Sequence, residues 1–396
     1  MGVNQGDYAF QAYAILNAIH SQATGQTTVA PINHDQFVSV AQKVLAAGYE
    51  TTLNAISAVL GRSIIAVRPY NRKFADLEAT ADRWGGWVRK LSYGDIDVEV
   101  DPTYALVDGQ PVDPFVVRKV PVLETKYLGS NVFEQSYTVY KRQLDVAFTD
   151  ERAFMDFING LTLHMANQRE QYLENLARQT LVALMLGRSE AESGTPSGVV
   201  HLVTEYNTVL GSPSPALTLA DLMAPDKIRG FFQWVIGRIA GISRMMGERS
   251  GLYQNAVTGY KINRHTPLAD QKLYMLAEVM ETIATQVDAN TFNEEFLKLP
   301  EHEDVSFWQA IDTPATINGV APVLNADGTL GTAASVTEAA VFGIIMDRDA
   351  AGYNVYQDEL EPSIYNPKGQ YWNIFHHVRT QNQIDLTEKS VLLLLD

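Results

Sequence analysis

"DERAFMDFINGLTLHMANQREQYLENLARQTLVALMLG", Asp150 to Gly187, runs without a proline. Thr149 and Asp150 supply helix-capping side chains at its start. Phe154, Ile158, Leu161, Met165, Tyr172, Leu176, Ala183 and Leu186 follow three- and four-residue steps, the period of one helical face. Gln168 and Gln179 interrupt the stripe, and Gly187 is a natural stop. The expected helix is roughly 55 Å long at 1.5 Å per residue. That is about three times the ordinary globular mean. The heptad with charged flanks does not hold, so the reading is an amphipathic helix and not a coiled coil.

Upstream, residues 63–148 have a different character. "SIIAVRPY" alternates as a strand does and stops at Pro69. "YALVDGQPV" places Asp108-Gly109 between apolar runs, a tight-turn signal. "VVRKVPVLETKYL" and "SYTVYKRQLDVAF" alternate again. The segment is β-rich and charged, with little contiguous apolar surface. It cannot bury a core of its own and must lie on something else. Ahead of it, residues 1–62 read as an arm of two or three short helices. Phe10, Tyr13, Leu16 and Ile19 form one stripe, Phe37, Val40, Val44 and Leu45 another, with breaks at Gly48 and Gly61.

Downstream, "SEAESGTPSG" reads as a linker and "VVHLVTEYNTVLG" as a strand or strand–turn. "SPALTLADLMAPDKIRGFFQWVIGRIAGISRMMGE" holds two helices, the second through Ile228, Phe232, Val235, Ile239 and Ile242. Leu273–Leu276 is a strand followed by helical character. "FWQAIDTPATINGVAPVLNADGTLGTAAS" reads as a polar loop. "AAVFGIIMDRDAAGYNVYQ" gives a buried strand, a turn and a second strand. Asn366-Pro367-Lys368-Gly369 is a turn leading into a long strand from Gln370, and "SVLLLLD" is a last strand. No internal repeat is visible.

The 396 residues are 46% apolar, which is a globular and not a disordered composition. There is no cysteine, so disulfides, thiolate catalysis and cysteine-ligated metals are excluded. A formal charge of −16 argues against a nucleic-acid reader, which carries a basic face. The start, "MGVNQGDYAF", has neither the basic nor the apolar region of a secretory signal. It also has Gly6 where a myristoylation site needs Ser or Thr. No apolar run approaches the ~20 residues of a membrane span, and the terminal "VLLLL" is strand-sized.

Catalytic and ligand motifs fail on inspection. Neither phosphate-binding glycine template occurs. "GERSG" and "GTPSG" are not nucleophile elbows. His302-Glu303 meets Ser306 where a zinc peptidase needs its second histidine. Asp347, Asp349 and Gly352 fit a calcium loop, but Ala351 and Asp358 occupy ligand positions that need other residues, so a β-turn is expected. His376 and His377 are adjacent, and on a strand they point to opposite faces. Trp372, Ile374 and Val378 share parity with His376, which reads as a packed structural histidine. No catalytic, cofactor or metal site is assigned. One cluster combines aromatic and basic residues: Trp84, Trp87, Arg89, Lys90 and Tyr93, with Arg118, Lys119 and Tyr127 further along the same segment. Such side chains are favoured interface anchors, and these eight are the expected subunit-contact residues. The bland alternative is a hairpin packed on its own domain.

The order of elements resembles the major capsid proteins of tailed bacteriophages, an α+β fold known as the Johnson or HK-ninety-seven-type fold, closest to its phi-twenty-nine-like branch. Three stretches carry the likeness: "DPFVVRKVPVLETKYLGSNVFEQSYTVYKRQLDVAFTDERAFMDFINGL", "TPLADQKLYML" and "NPKGQYWNIFHHV". The resemblance implies an N-terminal arm over 1–62 and an extended loop (E-loop) over 63–148. A peripheral domain over 149–200 would carry a spine helix at 151–186. A mainly axial domain over 201–345 would follow, with a loop at 310–340 near a capsomer axis. The peripheral return strands would fall at 346–384 and a final axial strand at 385–396. The extra immunoglobulin-like domain of some relatives is expected to be missing. The Lys–Asn–Glu crosslinking set of some shells is not identified, Lys368 and Asn366 being too common as types to carry it. The implied role is self-assembly into pentamers and hexamers of an icosahedral head enclosing double-stranded DNA, with scaffolding and portal partners and no membrane. It implies a virion protein made in a bacterial cytoplasm, with no enzymatic activity and no cofactor. The rival readings are an encapsulin-type nanocompartment shell and, from another class, a soluble α/β enzyme.

Overall fold

Two N-terminal helices, α1 (Gln5–Thr24) and α2 (His34–Ala46), open the computed structural model. It describes residues 5–24, 34–48, 51–52, 55–56, 72–79, 87–99, 101–104, 106–113, 115, 117–128, 131–149, 151–193, 198–286 and 302–396. The strand expected at Ser63–Tyr70 lies outside them. A hairpin of β1 (Trp87–Tyr93) and β2 (Val122–Leu128) comes next, paired antiparallel from Trp87↔Leu128 to Tyr93↔Val122. β3 (Asn131–Tyr140) follows. The alternation read through 136–148 breaks at Tyr140, where α3 (Lys141–Ala147) begins. The Tyr140 amide donates to Gln143 Oε1 at 3.1 Å, a local cap that ends the strand.

The long helix is present as α4, Glu151–Glu190, 40 residues. It passes Gly187 without stopping. A Cβ at Gly187 would lie 3.0 Å from Leu386 and 3.2 Å from the Pro322 carbonyl, so this glycine permits close packing instead of ending the helix. The two ends of α4 sit in different surroundings. Phe154, Met155 and Ile158 join one apolar cluster with α1, α2, α3, Trp372 and Ile374. Residues from Leu173 to Leu186 join a second and larger cluster.

That larger cluster is built around a mixed five-stranded sheet. After β4 (Val199–His201), α5 (Leu202–Val209), α6 (Leu219–Leu222) and α7 (Ile228–Gly247), the chain forms β5 (Gln271–Leu276) and α8 (Ala277–Gln286). Then come β6 (His302–Val305), β7 (Ile317–Ala321), β8 (Ala334–Glu338) and β9 (Val341–Asp347). β10 (Ala351–Pro362), β11 (Tyr371–Ile384) and β12 (Ser390–Leu394) complete the order. The sheet runs β4-β12-β9-β5-β6, with β12–β4 and β5–β6 parallel. β9 and β12 are buried along their whole length, which explains their unbroken apolar sequences.

Two readings of the middle segment change. Only Val199–His201 of the stretch 199–211 is strand, and helix follows because Leu202, Val203 and Asn207 are buried at helical spacing. The polar stretch 307–335 is not all loop. It contains β7, which pairs with β8, and Ile317 and Ala321 pack into the large cluster.

A second, antiparallel sheet runs β10-β11-β3. Along β11 burial alternates, with Trp372, Ile374, His376 and Val378 inside, as the strand period requires. The Asn366 turn is present: its Oδ1 accepts from the Lys368 and Gly369 amides at 3.1 and 3.2 Å. Asp347 also serves a turn. Its Oδ1 accepts from the Asp349 amide at 2.9 Å and its Oδ2 from the Thr266 hydroxyl at 2.6 Å.

Candidate functional site

None of the described residues of the hairpin β1–β2 or of the loop joining its strands, 94–121, belongs to either apolar cluster. The loop exposes large apolar side chains in series: Val98 at 100%, Tyr104 at 88%, Phe115 at 85% and Val117 at 81%, with Ile96, Leu106, Val107 and Val112 also exposed. Local turns hold this tip in shape. Asp101 Oδ1 accepts from the Thr103 amide at 2.9 Å, and Asp113 Oδ1 from the Phe115 amide at 2.8 Å. The Thr103 bonds also hold the Asp101 carboxyl below its ordinary pKa.

Between tip and base is a polar neck. The Asp95 amide donates to the Lys261 carbonyl at 2.6 Å, and Asn263 Nδ2 donates to Asp95 Oδ2 at 2.9 Å. Arg249 pairs with Asp95, and Lys261 with Asp97.

At the base the hairpin meets the turn between β11 and β12. Lys90 Nζ lies 2.7 Å from Asp385 Oδ2 and also contacts Glu388 Oε1. Arg264 Nη1 reaches Glu388 Oε1 at 2.6 Å, and its Nη2 donates to Ser92 Oγ at 2.8 Å. The Tyr127 hydroxyl donates to Asp385, and Gln381 Nε2 donates to the Tyr127 carbonyl at 2.7 Å. Behind them is Arg188, near the end of α4 and 1% exposed. It donates to Ser390 Oγ at 2.6 Å, Asn255 Oδ1 at 2.8 Å and the Leu386 carbonyl at 2.9 Å.

Burial sets the electrostatics of this base. It pulls the Arg188 pKa down to about 10, against the pull of Asp385 and Glu388. Burial pushes the Glu388 carboxyl up despite Lys90 and Arg264. It pushes Asp385 up as well, but Lys90 and the Thr387 bonds prevail and hold that carboxyl below its usual value. Burial pulls Lys90 down, and its two acidic neighbours more than offset that.

The eight expected contact residues therefore divide. Trp84 lies outside the described residues. Trp87 opens β1 opposite Leu128. Arg89 is exposed and pairs across the hairpin with Glu124 at 2.6 Å. Tyr93, Arg118 and Lys119 are exposed. Lys90 and Tyr127 turn inward to Asp385. The acids they meet were not singled out from the sequence. Asp385 and Glu388 sit in "IDLTEKS", which signals only a turn, and their partners are hundreds of residues away.

His376 and His377 part on opposite faces of β11. His376 is buried with Nε2 2.5 Å from Asp358 Oδ1, and Arg169 Nε of α4 donates to the other Asp358 oxygen at 2.8 Å. The three tie the β10-β11-β3 sheet to the long helix. His377 is on the other face, 3.8 Å from Glu134. Among the described residues, no group of three or more His, Asp or Glu side chains is placed to hold a metal ion. Among them also, no helix is long and apolar enough to cross a membrane.

The fold has counterparts among solved phage structures. A chain in the capsid structure of Staphylococcus phage Andhra is similar with a TM-score of 0.54 and 11% identity, over 83% of this chain and 87% of that one. A chain in the structure of the head fiber and inner core protein gp22 of native bacteriophage P68 is similar with a TM-score of 0.53 and 13% identity, over 82% and 85%. Among curated proteins none matches the chain significantly. The architecture is an α+β fold resembling the HK-ninety-seven-type capsid proteins, and the protein is a shell-forming viral structural protein. Its family is more specific: the model described as Phi29-like phage major capsid protein matches residues 16–394, and the chain belongs to that family.

Proposed function

We propose that this chain is the main subunit of an icosahedral head that encloses the double-stranded DNA of a tailed phage. Pentamers and hexamers of the chain would form the shell, and its mechanism would be assembly and not catalysis. The observation that carries this reading is the apolar tip of the hairpin. Tyr104, Phe115, Val98 and Val117 stand in water on a segment with no core of its own. Large exposed apolar patches mark contact sites, and aromatic residues are favoured anchors. The tip is one patch, and its receptor is a different patch on the next copy. Such a head-to-tail contact closes into rings, as capsomers require.

In this reading the hairpin and its loop are the extended loop that overlaps a neighbouring subunit, and α4 is the spine of a flat plate. The formal charge of −16 suits a container for DNA, since a basic lining would bind the packaged chain along its length. Scaffolding and portal proteins are the expected partners, and the virion, filled in a bacterial cytoplasm, is the expected location.

Negative-stain microscopy and size exclusion of the purified protein test this. Hollow particles of uniform size are expected. A protein that stays a 43.9 kDa monomer at every concentration would overturn the reading. Particles packed with protein and no DNA, from infected or expressing cells, would favour an encapsulin-type shell instead.

A further inference from the structure

The hairpin is joined to the body by polar contacts. Among the described residues, nothing from 87 to 128 belongs to either apolar cluster. Apolar packing is non-directional. Hydrogen bonds and ion pairs have preferred angles and distances, so they fix orientation.

The groups that converge at the base come from separate parts of the chain. Lys90 and Ser92 are on β1, Tyr127 is on β2, Arg264 precedes β5, and Asp385 and Glu388 are in the β11–β12 turn. The Asp385 and Glu388 side chains are only 3% and 7% exposed. Burying such charges is costly unless each is met by a well-placed partner. A hairpin that only needed tethering could use the exposed pairs already present at the neck, Arg249–Asp95 and Lys261–Asp97.

Direction matters because the tip is far from its anchor. Tyr104 is at most about 23 Å of extended chain beyond Asp97, the last neck contact. A tilt of about 10° at the base would carry it roughly 4 Å sideways, a whole contact distance.

We propose that Lys90 is a positioning residue: with Asp385, Glu388 and Arg264 it forms a clasp that sets the direction in which the apolar tip leaves the body, and with it the curvature of the assembled shell. The curvature half of this rests on the shell reading above; the clasp half does not.

The test has two arms on the full chain. In the unassembled subunit, hydrogen exchange is followed in wild type, Lys90→Met and Lys90→Arg. Lys90→Met is expected to speed exchange of the β1 and β2 amides about tenfold and leave the five-stranded sheet unchanged, with Lys90→Arg restoring most of the protection. In the second arm, microscopy of assembled material is expected to show particles of one diameter for wild type and Lys90→Arg. Lys90→Met should give mixed diameters and open sheets. Arg348→Gln, a change at an exposed cation on another turn, should behave as wild type.

Wild-type exchange in the Lys90→Met hairpin together with particles of one diameter would overturn the clasp. Should Lys90→Met fail to fold, Tyr127→Phe removes only the hydroxyl donated to Asp385. It is expected to speed hairpin exchange about threefold, and no change in exchange or diameter would overturn the clasp equally. If wild type itself forms no particles, the shell reading fails, and the exchange arm still decides the clasp.

Discussion

Phe154 and Leu181 lie on one continuous helix and in two separate apolar clusters. Between Leu161 and Tyr172 only Met165 and Ala166 are buried apolar residues of α4. The helix is thus a strut between two cores and not the centre of one. Phe154→Ala is expected to cost ~3–5 kcal/mol and Leu181→Ala ~2–5 kcal/mol. The two sites are about 40 Å apart along the helix, so their effects should add within ~0.5 kcal/mol. Urea melts of the single and double variants of the unassembled subunit measure this. A larger coupling would show that the clusters behave as one core.

The tip should separate folding from assembly. Phe115 is 85% exposed and touches neither cluster. Phe115→Ser should leave the melting of the unassembled subunit within ~0.5 kcal/mol of wild type. The concentration needed for assembly should rise about tenfold or more, the equivalent of an interface anchor worth over ~1.4 kcal/mol. Light scattering against concentration reads the second quantity. Unchanged assembly would place the intersubunit contact elsewhere.

Two glycines make opposite forecasts. Gly343 is in the middle of β9, and a Cβ there would lie 2.5 Å from the Tyr274 carbonyl oxygen on the adjacent strand. That oxygen is backbone and cannot swing aside, so Gly343→Ala should destabilise by ~1–3 kcal/mol. Gly237 is exposed in α7 with nothing within 4 Å of its would-be Cβ. Gly237→Ala should stabilise by ~0.4–1 kcal/mol by restricting the unfolded chain. Thermal melts of the pair compare them directly.

His201 gives the chain a pH dependence with a definite sign. Its Nδ1 is 2.7 Å from Asp396 Oδ1 and its Nε2 2.8 Å from Glu192 Oε1. A neutral ring has only one N–H, so it can donate to only one of these acceptors. Partial burial pulls the pKa down, but the bonds to Glu192 and Asp396 outweigh it and raise the value above the ordinary one. A raised folded-state pKa contributes stability that is fully present below the unfolded value of about 6.5 and is lost as pH climbs through the folded value. The melting difference between wild type and His201→Gln should therefore be largest near about pH 6 and shrink toward about pH 9. A difference that grew with pH would mean the ring is held neutral.

Local pattern was enough for the elements whose neighbours lie along the chain. The stripe from Phe154 to Leu186 specified α4, and the unbroken apolar runs of β9 and β12 specified fully buried strands. Parity alone separated His376 from His377, because side chains on a strand alternate whatever it packs against. Local pattern failed where a distant partner decided the outcome. Gly187 reads as a helix stop, yet the helix continues because Leu386 and Pro322 need the space of the missing side chain. "VTEYNTV" has β-forming residues, yet it is helical because one helical face is buried.

The candidate site divides along the same line. The sequence by itself placed Trp87, Arg89, Lys90 and Tyr93 in one charged, aromatic stretch; that they share the strand β1, and that Phe74, Leu77, Val139, Leu144 and Phe148 of the same 63–148 segment are buried in the two cores, came from the tertiary structure. Only the tertiary structure decided which of those side chains face outward. Lys90 and Arg89 are neighbours of the same charge, and a strand sends them to opposite faces. Which face is buried depends on Asp385 and Glu388, 295 and 298 residues beyond Lys90. Coulombic attraction acts through space, and no spacing along the chain encodes which acids a lysine will meet once the chain has folded.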